Sequence, residues 1–563
     1  MKNIIKIVSI FLLLFVVNLS ANLSDAFYDT NNEPTLFPGH SPGGWANTTA
    51  FAALKNDGSV VAWGHINYGG DISKVADKLI NVKTIYSNWQ GFAALKDDGS
   101  VFTWGDINNS NVSNMISDGV KTIYSTGYAF AALKDDGSVV TWGIISNDGS
   151  DSSSVADRLK SGVKAIYSTL RAFAALKNDG GIVTWGDSDY GGDSSSVAER
   201  LKSGVKAIYS TLGAFAALKN DGSVVTWGDS DYGGDSSSVA ERLKSGVKAI
   251  YSNHFAFAAL KDDGSVVTWG RSNWGGDSSK VADKLTGRVK AVYSTFYAFA
   301  ALKDDGSVVT WGDSSCAGDS SKVADKLTSG VKIIYSTICA FAALKDDNSV
   351  IVWGDSRNGG DSSEESDALT GGVKKIYSTG YAFAALKDDG SVVTWGNIGF
   401  GGASSLAGNK LDSGVKKIYS TGYAFAALKD DGSVVTWGDD GWGGDSSSVA
   451  DKLTNVKEIF PSYTKVIIQD ENSSSKTGDN QTTALTKSKI DTFSSGWTLA
   501  GTSKEIEDLS IFDNAKIIWM WDNNTSKWGA YSPISKFQDK INRIDSIFTI
   551  TTIPADSGVW ILK

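Results

Sequence analysis

One unit, close to AFAALKDDGSVVTWG, recurs ten times and fills most of this chain. Between Trp185 and Trp437, the tryptophan of each Trp-Gly pair follows the previous one after 42 residues. A fixed period of this length means that each copy is one supersecondary unit, which buries its apolar surface only against neighbouring copies. The repeat therefore constrains the fold more than any single residue does. The repeated tryptophans are Trp63, Trp104, Trp142, Trp185, Trp227, Trp269, Trp311, Trp353, Trp395 and Trp437.

Each copy predicts about three short antiparallel strands. In one copy, residues 205–210, 214–219 and 223–228 are rich in strand-forming residues, and Asn220-Asp-Gly222 has the composition of a hairpin turn. The third strand has apolar residues on both faces, so we expect other sheets to cover both faces. Radial arrays of small antiparallel sheets are β-propellers. We therefore predict an all-β, propeller-like array of ten short three-stranded repeats, with blade number and ring closure left open.

The order of residues within the repeat also carries a family resemblance. The consensus GVKAIYSTGYAFAALKDDGSVVTWGDSDYGG contains an aliphatic-Ala-Leu, an Asp-Gly, a Val and a Trp-Gly in that order. In this it resembles the regulator-of-chromosome-condensation (RCC-type) repeat superfamily, and most of all the short repeats of the secreted type II β-lactamase inhibitory proteins. The resemblance covers about residues 43–470. It implies a β-propeller, although ten copies exceed the usual number of blades, and it implies that loop aromatics on one face bind a protein.

Closure of the array has two interpretations at this stage. The first copy begins at Phe51 with only a weak first strand before it, whereas the last full copy is followed by a first strand alone, at residues 456–460. That strand would complete the first blade and remove two exposed sheet edges. Alternatively, residues 465–468 are the second strand of an eleventh, partial unit. We favour closure.

The two ends of the chain differ from the repeats. Lys2 and Lys6 precede an apolar stretch that is too short to span a membrane, and Ala21 offers a small residue for cleavage, which is typical of a secretory signal. After residue 470 the chain becomes polar, then rich in Trp and Tyr, with strands expected at 496–500, 516–521, 547–553 and 559–562 and a helix near 534–542. The predicted segments are a signal peptide (1–21), an N-terminal linker (22–42), the repeat propeller (43–470), a polar linker (471–489) and a C-terminal β-rich domain (490–563).

Composition argues against two classes of function. The net charge is −10 and no run of Lys and Arg occurs, so we expect neither nucleic acid nor an anionic membrane as partner. The three histidines, His40, His65 and His254, occupy no recurring position of the repeat. Catalysis needs acids, bases or nucleophiles that converge. We therefore predict a protein without enzymatic activity.

Two cysteines, Cys316 and Cys339, replace aromatic residues at two positions of the repeat. The loop that holds Cys316 and the turn that holds Cys339 come together if aromatic residues touch there in other copies. An exported chain meets oxidising conditions, which favours a disulfide. Two independent free thiols are the alternative.

Acidic loops raise the question of calcium. Two loops supply three carboxylates each, and hard cations need clustered oxygen atoms. Arg271 and Arg357 occur in the equivalent loops of other copies, which favours a solvated turn instead. No cofactor is predicted, and calcium in two loops is the alternative. The carboxylates in question are Asp187, Asp189, Asp193, Asp229, Asp231 and Asp235.

Two sets of aromatic residues form the candidate binding site. The first set lies five residues after the repeated tryptophan, and the second lies just before the AFAAL motif, where the otherwise similar copies vary. Aromatic residues on one rim of a ring are typical anchors of protein interfaces; the alternative is that each ring only covers the neighbouring loop. The first set is Tyr68, Tyr190, Tyr232, Trp274, Phe400 and Trp442, and the second is Trp89, Tyr128, Arg171, Phe255, Tyr297, Tyr381 and Tyr423.

These observations predict an exported, non-enzymatic binding protein whose propeller face or rim holds another protein. The alternative is a carbohydrate-binding or cell-envelope component that is attached through the C-terminal domain. Ligand identity and oligomeric state do not follow from the sequence.

Overall fold

The computed structural model describes residues 45–108, 114–144 and 148–460 and five short strands beyond them. The chain divides into two compact units, Met1–Ile467 and Ile468–Lys563. The predicted signal peptide, the linkers and the helix expected near 534–542 lie outside the described residues, and the predicted domain boundaries stay predictions. No helix in the described part of the chain is long and apolar enough to cross a membrane.

The first unit contains ten three-stranded antiparallel sheets, which we number as blades 1 to 10 by the order of their middle strands. The inner strands of blades 2 to 10 are Val82–Asn88, Val120–Ser125, Val163–Ser168, Val205–Ser210, Val247–Ser252, Val289–Ser294, Val331–Ser336, Val373–Ser378 and Val415–Ser420. The middle strands of blades 1 to 10 are Ala50–Lys55, Gly91–Lys96, Ala129–Lys134, Ala172–Lys177, Ala214–Lys219, Ala256–Lys261, Ala298–Lys303, Ala340–Lys345, Ala382–Lys387 and Ala424–Lys429. The outer strands are Val60–Gly64, Val101–Gly105, Val139–Gly143, Ile182–Gly186, Val224–Gly228, Val266–Gly270, Val308–Gly312, Val350–Gly354, Val392–Gly396 and Val434–Gly438.

Blade 1 takes its inner strand from the far end of the repeats. Val456–Phe460 pairs antiparallel with Ala50–Lys55, with Ile459 opposite Ala53. Blade 10 packs against this composite blade, because the Nε1 of Trp63 donates to the carbonyl of Gly443 at 3.1 Å. The same contact, as between Trp227 and the carbonyl of Gly191 at 3.0 Å, joins the other neighbouring blades except blades 2 and 3, where the Nε1 of Trp142 has no partner among the described residues. The sheets therefore follow one another around a ring, as the closure hypothesis predicts.

The core lies between successive blades. Trp227 is 2% exposed and stacks on Phe215 at 5.1 Å, and both face the alanines and leucine of the preceding middle strand. The small Ala side chains let the next sheet approach closely, while Phe and Trp fill the remaining space. Each interface repeats this arrangement, which explains why the AFAAL and Trp-Gly motifs hardly vary.

Each blade has two different ends because its three strands alternate in direction. At one end, the inner strand turns into the middle strand and the outer strand leaves the blade; we call this side of the ring the turn face. The hairpin between middle and outer strands lies on the opposite side, which we call the hairpin face. Inner strands of neighbouring blades contact one another, whereas outer strands contact the connecting loops, so the inner strands surround the axis. In the hairpin of blade 5, Gly222 has φ +74, as the hairpin motif predicts.

The connecting loops contain short 3-10 helices. One follows the outer strand and the second lies against the outer strand of the next blade. The first set is Ile66–Tyr68, Ser188–Tyr190, Ser230–Tyr232, Ser272–Trp274, Ser314–Cys316, Ser356–Asn358, Ile398–Phe400 and Asp440–Trp442. The second set is Ala76–Lys78, Ser153–Leu159, Ser195–Leu201, Ser237–Leu243, Ser279–Leu285, Ser321–Leu327, Asp367–Leu369, Ser405–Leu411 and Ser447–Lys452.

The described part of the second unit is a five-stranded sheet. Its two central antiparallel pairs join Ile517–Asp522 to Lys527–Tyr531 and to Gly558–Leu562. Trp497–Gly501 adds at one edge, and Ile547–Thr549 adds at the other in parallel orientation. Four of these strands agree with the sequence expectation to within a few residues, and Lys527–Tyr531 was not anticipated.

Candidate binding face

The first aromatic set lies on the turn face. Each member is the last residue of a 3-10 helix and precedes a glycine with positive φ, as Tyr232 precedes Gly233 at φ +91. A side chain at Gly233 would collide with the ring of Phe257, so the glycine lets the loop descend onto the next blade. All six aromatic residues of this set are half-buried.

The second set interleaves with the first. Phe255, in the turn of blade 6, lies between two loop residues, 5.1 Å from Tyr232 and 4.3 Å from Trp274 between ring centroids. Trp274 in turn lies 5.1 Å from Tyr297, in the turn of blade 7. Loop and turn residues thus alternate in an unbroken row of touching rings. The two sets that the sequence separates form one feature, which we call the aromatic belt.

A second row of the belt lies further round the ring. Phe400 lies between Tyr381 at 5.0 Å and Tyr423 at 5.2 Å. Tyr423 also contacts Trp442 edge-on at 3.9 Å. Burial raises the pKa of Tyr423 to about 12, so its phenol stays protonated at neutral pH. The belt therefore offers hydroxyl groups as well as apolar ring surface.

Arg171 takes the place of an aromatic residue in the turn of blade 4. Its guanidinium lies over the rings of Tyr128 at 5.5 Å and Tyr190 at 5.2 Å. Its Nη1 is 3.7 Å from the buried carboxylate of Asp148 and 4.0 Å from Asp187. Burial raises the pKa of Asp148, while the charge of Arg171 opposes that rise. Arg171 is thus a cationic position of the belt held between two rings, and Arg271, whose guanidinium lies 3.9 Å from the ring centroid of Trp274, is a second.

A buried polar residue fixes the loop part of the belt. The hydroxyl of Thr211 donates to the carbonyl of Tyr232 at 2.8 Å and accepts the N–H of Ala214 at 3.0 Å. Asn253 does the same for Trp274 through its amide group. Sequence reasoning missed these residues, although the Ser-Thr or Ser-Asn pair after each inner strand is the signal. The equivalent residues are Asn47, Thr169, Thr295, Thr337, Thr379 and Thr421.

Cys316 and Cys339 form a disulfide with their Cα atoms 3.9 Å apart. Cys316 ends the loop helix after blade 7, and Cys339 lies in the turn of blade 8. This is the junction at which Tyr232 meets Phe255 in another copy. The disulfide therefore takes the place of the stacked ring pair that other copies have at this position. It lies between the two aromatic rows.

Trp89 differs from the rest of the second set in its turn position, although its ring contacts Tyr128 edge-on at 5.6 Å. It lies one residue earlier in the turn, and its N–H donates to the carbonyl of Gly127 at 3.2 Å. The same backbone bond joins Gly127 to Leu170 and Leu170 to Leu212, so these residues encircle the axis inside the belt. The one-residue difference arises because Gln90, not Trp89, occupies the turn position before the middle strand of blade 2. The side chain of Trp89 packs edge-on against Trp45 at 5.2 Å, near the axis.

The carboxylates of the two acidic loops close local turns. Asp187 accepts the N–H of Asp189, and Asp193 accepts the N–H of Ser195. Asp229 and Asp235 do the same in the next loop. Among the residues that the structure describes, no group of three His, Cys, Asp or Glu is placed to hold a metal ion. Calcium in two loops stays a prediction, as does the solvated turn.

The fold is a β-propeller, and the belt gives it one candidate binding face. No protein-family profile and no curated protein matches the chain. Among solved structures it is similar to Prp20p from Saccharomyces cerevisiae, with 14% identity and a TM-score of 0.29 over 65% of this chain and 84% of that one. It is also similar to the CRINKLY WD40 ectodomain of the Arabidopsis thaliana receptor kinase ACR4, with 16% identity and a TM-score of 0.26 over 47% and 90% of the two chains. A third similar structure is the computationally designed Ika8 protein, with 12% identity and a TM-score of 0.25 over 63% and 99%.

Proposed function

We propose that this chain is an exported, non-enzymatic binding protein that holds another protein on its aromatic belt. The observation that carries the proposal is the alternation of touching, half-buried rings along one face, each loop ring fixed from below by a buried Thr or Asn. Aromatic residues give large contact area with little loss of side-chain entropy, and they dominate the energetics of many interfaces. The resemblance to type II β-lactamase inhibitory proteins supports the same kind of partner.

Arg171 gives the proposed binding face a polar contact that can contribute to specificity. A guanidinium that is half-exposed between Tyr128 and Tyr190 can donate to acceptor groups of a partner without losing its ring contacts. Asp148 and Asp187 lie nearby and hold it in place. We expect the partner to present hydrogen-bond acceptors at this point and apolar groups to the two aromatic rows.

The test compares variants of the full chain. Trp274 and Trp442 are both replaced by Ala, and the proteins that wild type and variant capture from the surrounding medium are compared. Any captured partner is then titrated against both. Hot-spot residues of this kind cost about 2 kcal/mol or more each, so affinity should fall at least about 30-fold per residue. Lys202→Ala, an exposed change on the connecting loop, is the control and should leave affinity unchanged.

Two outcomes would contradict the proposal. Unchanged affinity of the Trp274→Ala, Trp442→Ala variant with a lowered melting temperature would assign the rings to stability alone. Binding of glycans to the full chain, retained in the variant, would instead favour the alternative of a carbohydrate-binding envelope component attached through the C-terminal domain.

A further inference from the structure

A ring of lysines surrounds the axis at the hairpin face. Every inner strand begins with Val-Lys, so ten lysines occupy one equivalent position in the ten blades. Blades 9 and 10 add Lys375 and Lys417 at the next position, and the only acidic residue on any inner strand is Glu458. The ten are Lys83, Lys121, Lys164, Lys206, Lys248, Lys290, Lys332, Lys374, Lys416 and Lys457.

A backbone irregularity at each of these lysines keeps its side chain out of the packed interface between blades. In blade 5 the strand register shifts between Val205 and Ala207, so Lys206 is the extra residue of a β-bulge. Val205 is buried against the preceding blade, whereas Lys206 is exposed. The N–H of Val205 donates to the carbonyl of Gly180 in the preceding hairpin, which places the bulge at the hairpin face. The same register shift recurs in the other inner strands and aligns the lysines around the axis.

The hairpins bring aspartates to the same face, and these carboxylates stay negatively charged when they are hydrogen-bonded. Asp221 accepts the hydroxyl of Ser223 at 2.6 Å, and this bond, followed by the backbone N–H of Ser223, lowers its pKa. The cation that adds to the effect is Lys219, at the end of the middle strand, not Lys206. Charges further away than about 8 Å are largely screened at physiological salt. At this face the ten ring lysines and the ten lysines that end the middle strands outnumber the seventeen hairpin aspartates, so the ring keeps a local excess of positive charge although the chain as a whole carries −10.

The inner strand edges offer little besides charge. The hydroxyl of Ser210 donates to the carbonyl of Ser168 at 2.7 Å, and Ser252 donates to Ser210 in the same way. The hydroxyl of Tyr167 meets the backbone of Ile208 in the next blade, which covers the edge from the other side. An extended peptide would find these edge groups already paired. A ligand that needs no backbone partner and carries dense negative charge fits better.

The aromatic residues of the inner strands narrow the choice of ligand further. In blades 9 and 10 the tyrosine rings of the inner strands are covered by lysine, as Tyr419 is by Lys417 at 4.7 Å, and are not free to stack on bases.

We propose that the lysine ring binds a linear polymer of inorganic phosphate by charge alone. Lysine suits this task because its ammonium group is a point charge that tolerates many phosphate positions. The prediction that no basic cluster exists was made from the linear sequence, where these lysines are scattered; ring closure brings them together. The site is on the opposite face from the aromatic belt and does not depend on it.

The test uses the full chain and medium-length inorganic polyphosphate. Five ring lysines, Lys206, Lys248, Lys332, Lys374 and Lys416, are changed to Gln together. The control changes five exposed loop lysines to Gln, which removes the same charge: Lys202, Lys244, Lys284, Lys326 and Lys452. We expect the ring variant to lose polyphosphate affinity at least about tenfold and to show a shallower salt dependence, because fewer counterions are displaced. The control should stay within about twofold of wild type.

Three further measurements keep the proposal falsifiable. Equal losses in the two variants, or no binding of polyphosphate to wild type, would overturn it. Tighter binding of poly-glutamate or single-stranded DNA than of polyphosphate would also overturn it, since either would show a different polymer class. Circular dichroism of the ring variant checks folding, and the Trp274→Ala, Trp442→Ala variant should bind polyphosphate normally, which separates this site from the proposed protein-binding face.

Discussion

Trp227 illustrates how the repeated tryptophan stabilises the ring. It stacks on Phe215, donates to the carbonyl of Gly191 and is 2% exposed, so it belongs to two blades at once. Trp274, only five residues after the next repeated tryptophan, is half-buried in the belt. The two tryptophans have different roles because one faces a sheet and the other faces the turn side.

We expect Trp227→Ala to lower the free energy of unfolding by about 3–5 kcal/mol, the usual cost of removing a packed Trp. Trp274→Ala should cost clearly less, because its ring is half-buried. Urea denaturation of both variants measures the difference. Equal losses, or no loss for Trp227→Ala, would contradict the packing described above.

The Cys316–Cys339 bond should stabilise the chain through its effect on the unfolded state. It closes a segment with a sequence separation of 23 residues, for which loop entropy predicts about 3 kcal/mol. We expect the Cys316→Ser, Cys339→Ser variant to melt lower than wild type, and reductant to lower the melting temperature of wild type but not of the variant. Labelling of both thiols in non-reduced protein would show that no bond forms.

At the scale of the element, the Asp of the hairpin links the stability of the blade to pH. The hydroxyl of a Ser two residues further on lowers the pKa of the hairpin Asp in nine blades. A lowered pKa in the folded state stabilises the fold above the unfolded value of about 3.9 and loses that contribution as pH falls through the folded value. Acid should therefore destabilise the propeller from about pH 4 downward.

This prediction is tested by melting the chain between neutral pH and pH 3. Ser223→Ala, Ser265→Ala and Ser307→Ala together should lower the melting temperature at neutral pH and flatten its fall in acid. Ser203→Ala and Ser245→Ala, on exposed loop serines, should leave the profile as in wild type. A triple variant with the wild-type profile would show that these hydroxyls do not set the pH dependence.

The element scale also shows what the sequence could and could not predict. Strand order, the Asn220-Asp-Gly222 hairpin and the burial of Trp227 follow from local pattern, and the structure has them. The contact between Tyr232 and Phe255 does not follow, because spacing along one copy carries no information on which loop meets the next turn. The role of Thr211 does not follow from the sequence for a related reason. A Thr that recurs after the inner strand is typical of a turn, and only the structure shows that its hydroxyl binds the carbonyl of Tyr232.

At the scale of the whole molecule, stability depends on the strand Val456–Phe460. Without it, the middle strand Ala50–Lys55 has an open edge, and open edges promote association between chains. The loss also removes Ile459 and Val456 from the core between blades 10 and 1. The ring is therefore closed by a strand of five residues, which lies about four hundred residues along the chain from the strand with which it pairs.

We expect a chain that ends at Asn455 to melt well below a chain that ends at Ile467 and to associate in solution. Differential scanning calorimetry and light scattering measure the two effects, and the longer chain is the control because it ends at the unit boundary. Identical melting and a monomeric state for both chains would show that the strand does not join the ends of the ring.

The joint between the first and last strands has an evolutionary consequence. The two paired strands, Ala50–Lys55 and Val456–Phe460, lie outside the run of 42-residue copies. Their pairing therefore does not involve any residue of the copies between them. Unequal recombination between nearly identical stretches of the gene can remove or add a whole copy and still leave both halves of blade 1 intact. The circumference of the ring, and with it the length of the belt and the number of lysines around the axis, can thus change by whole units while the means of closing it is inherited unchanged.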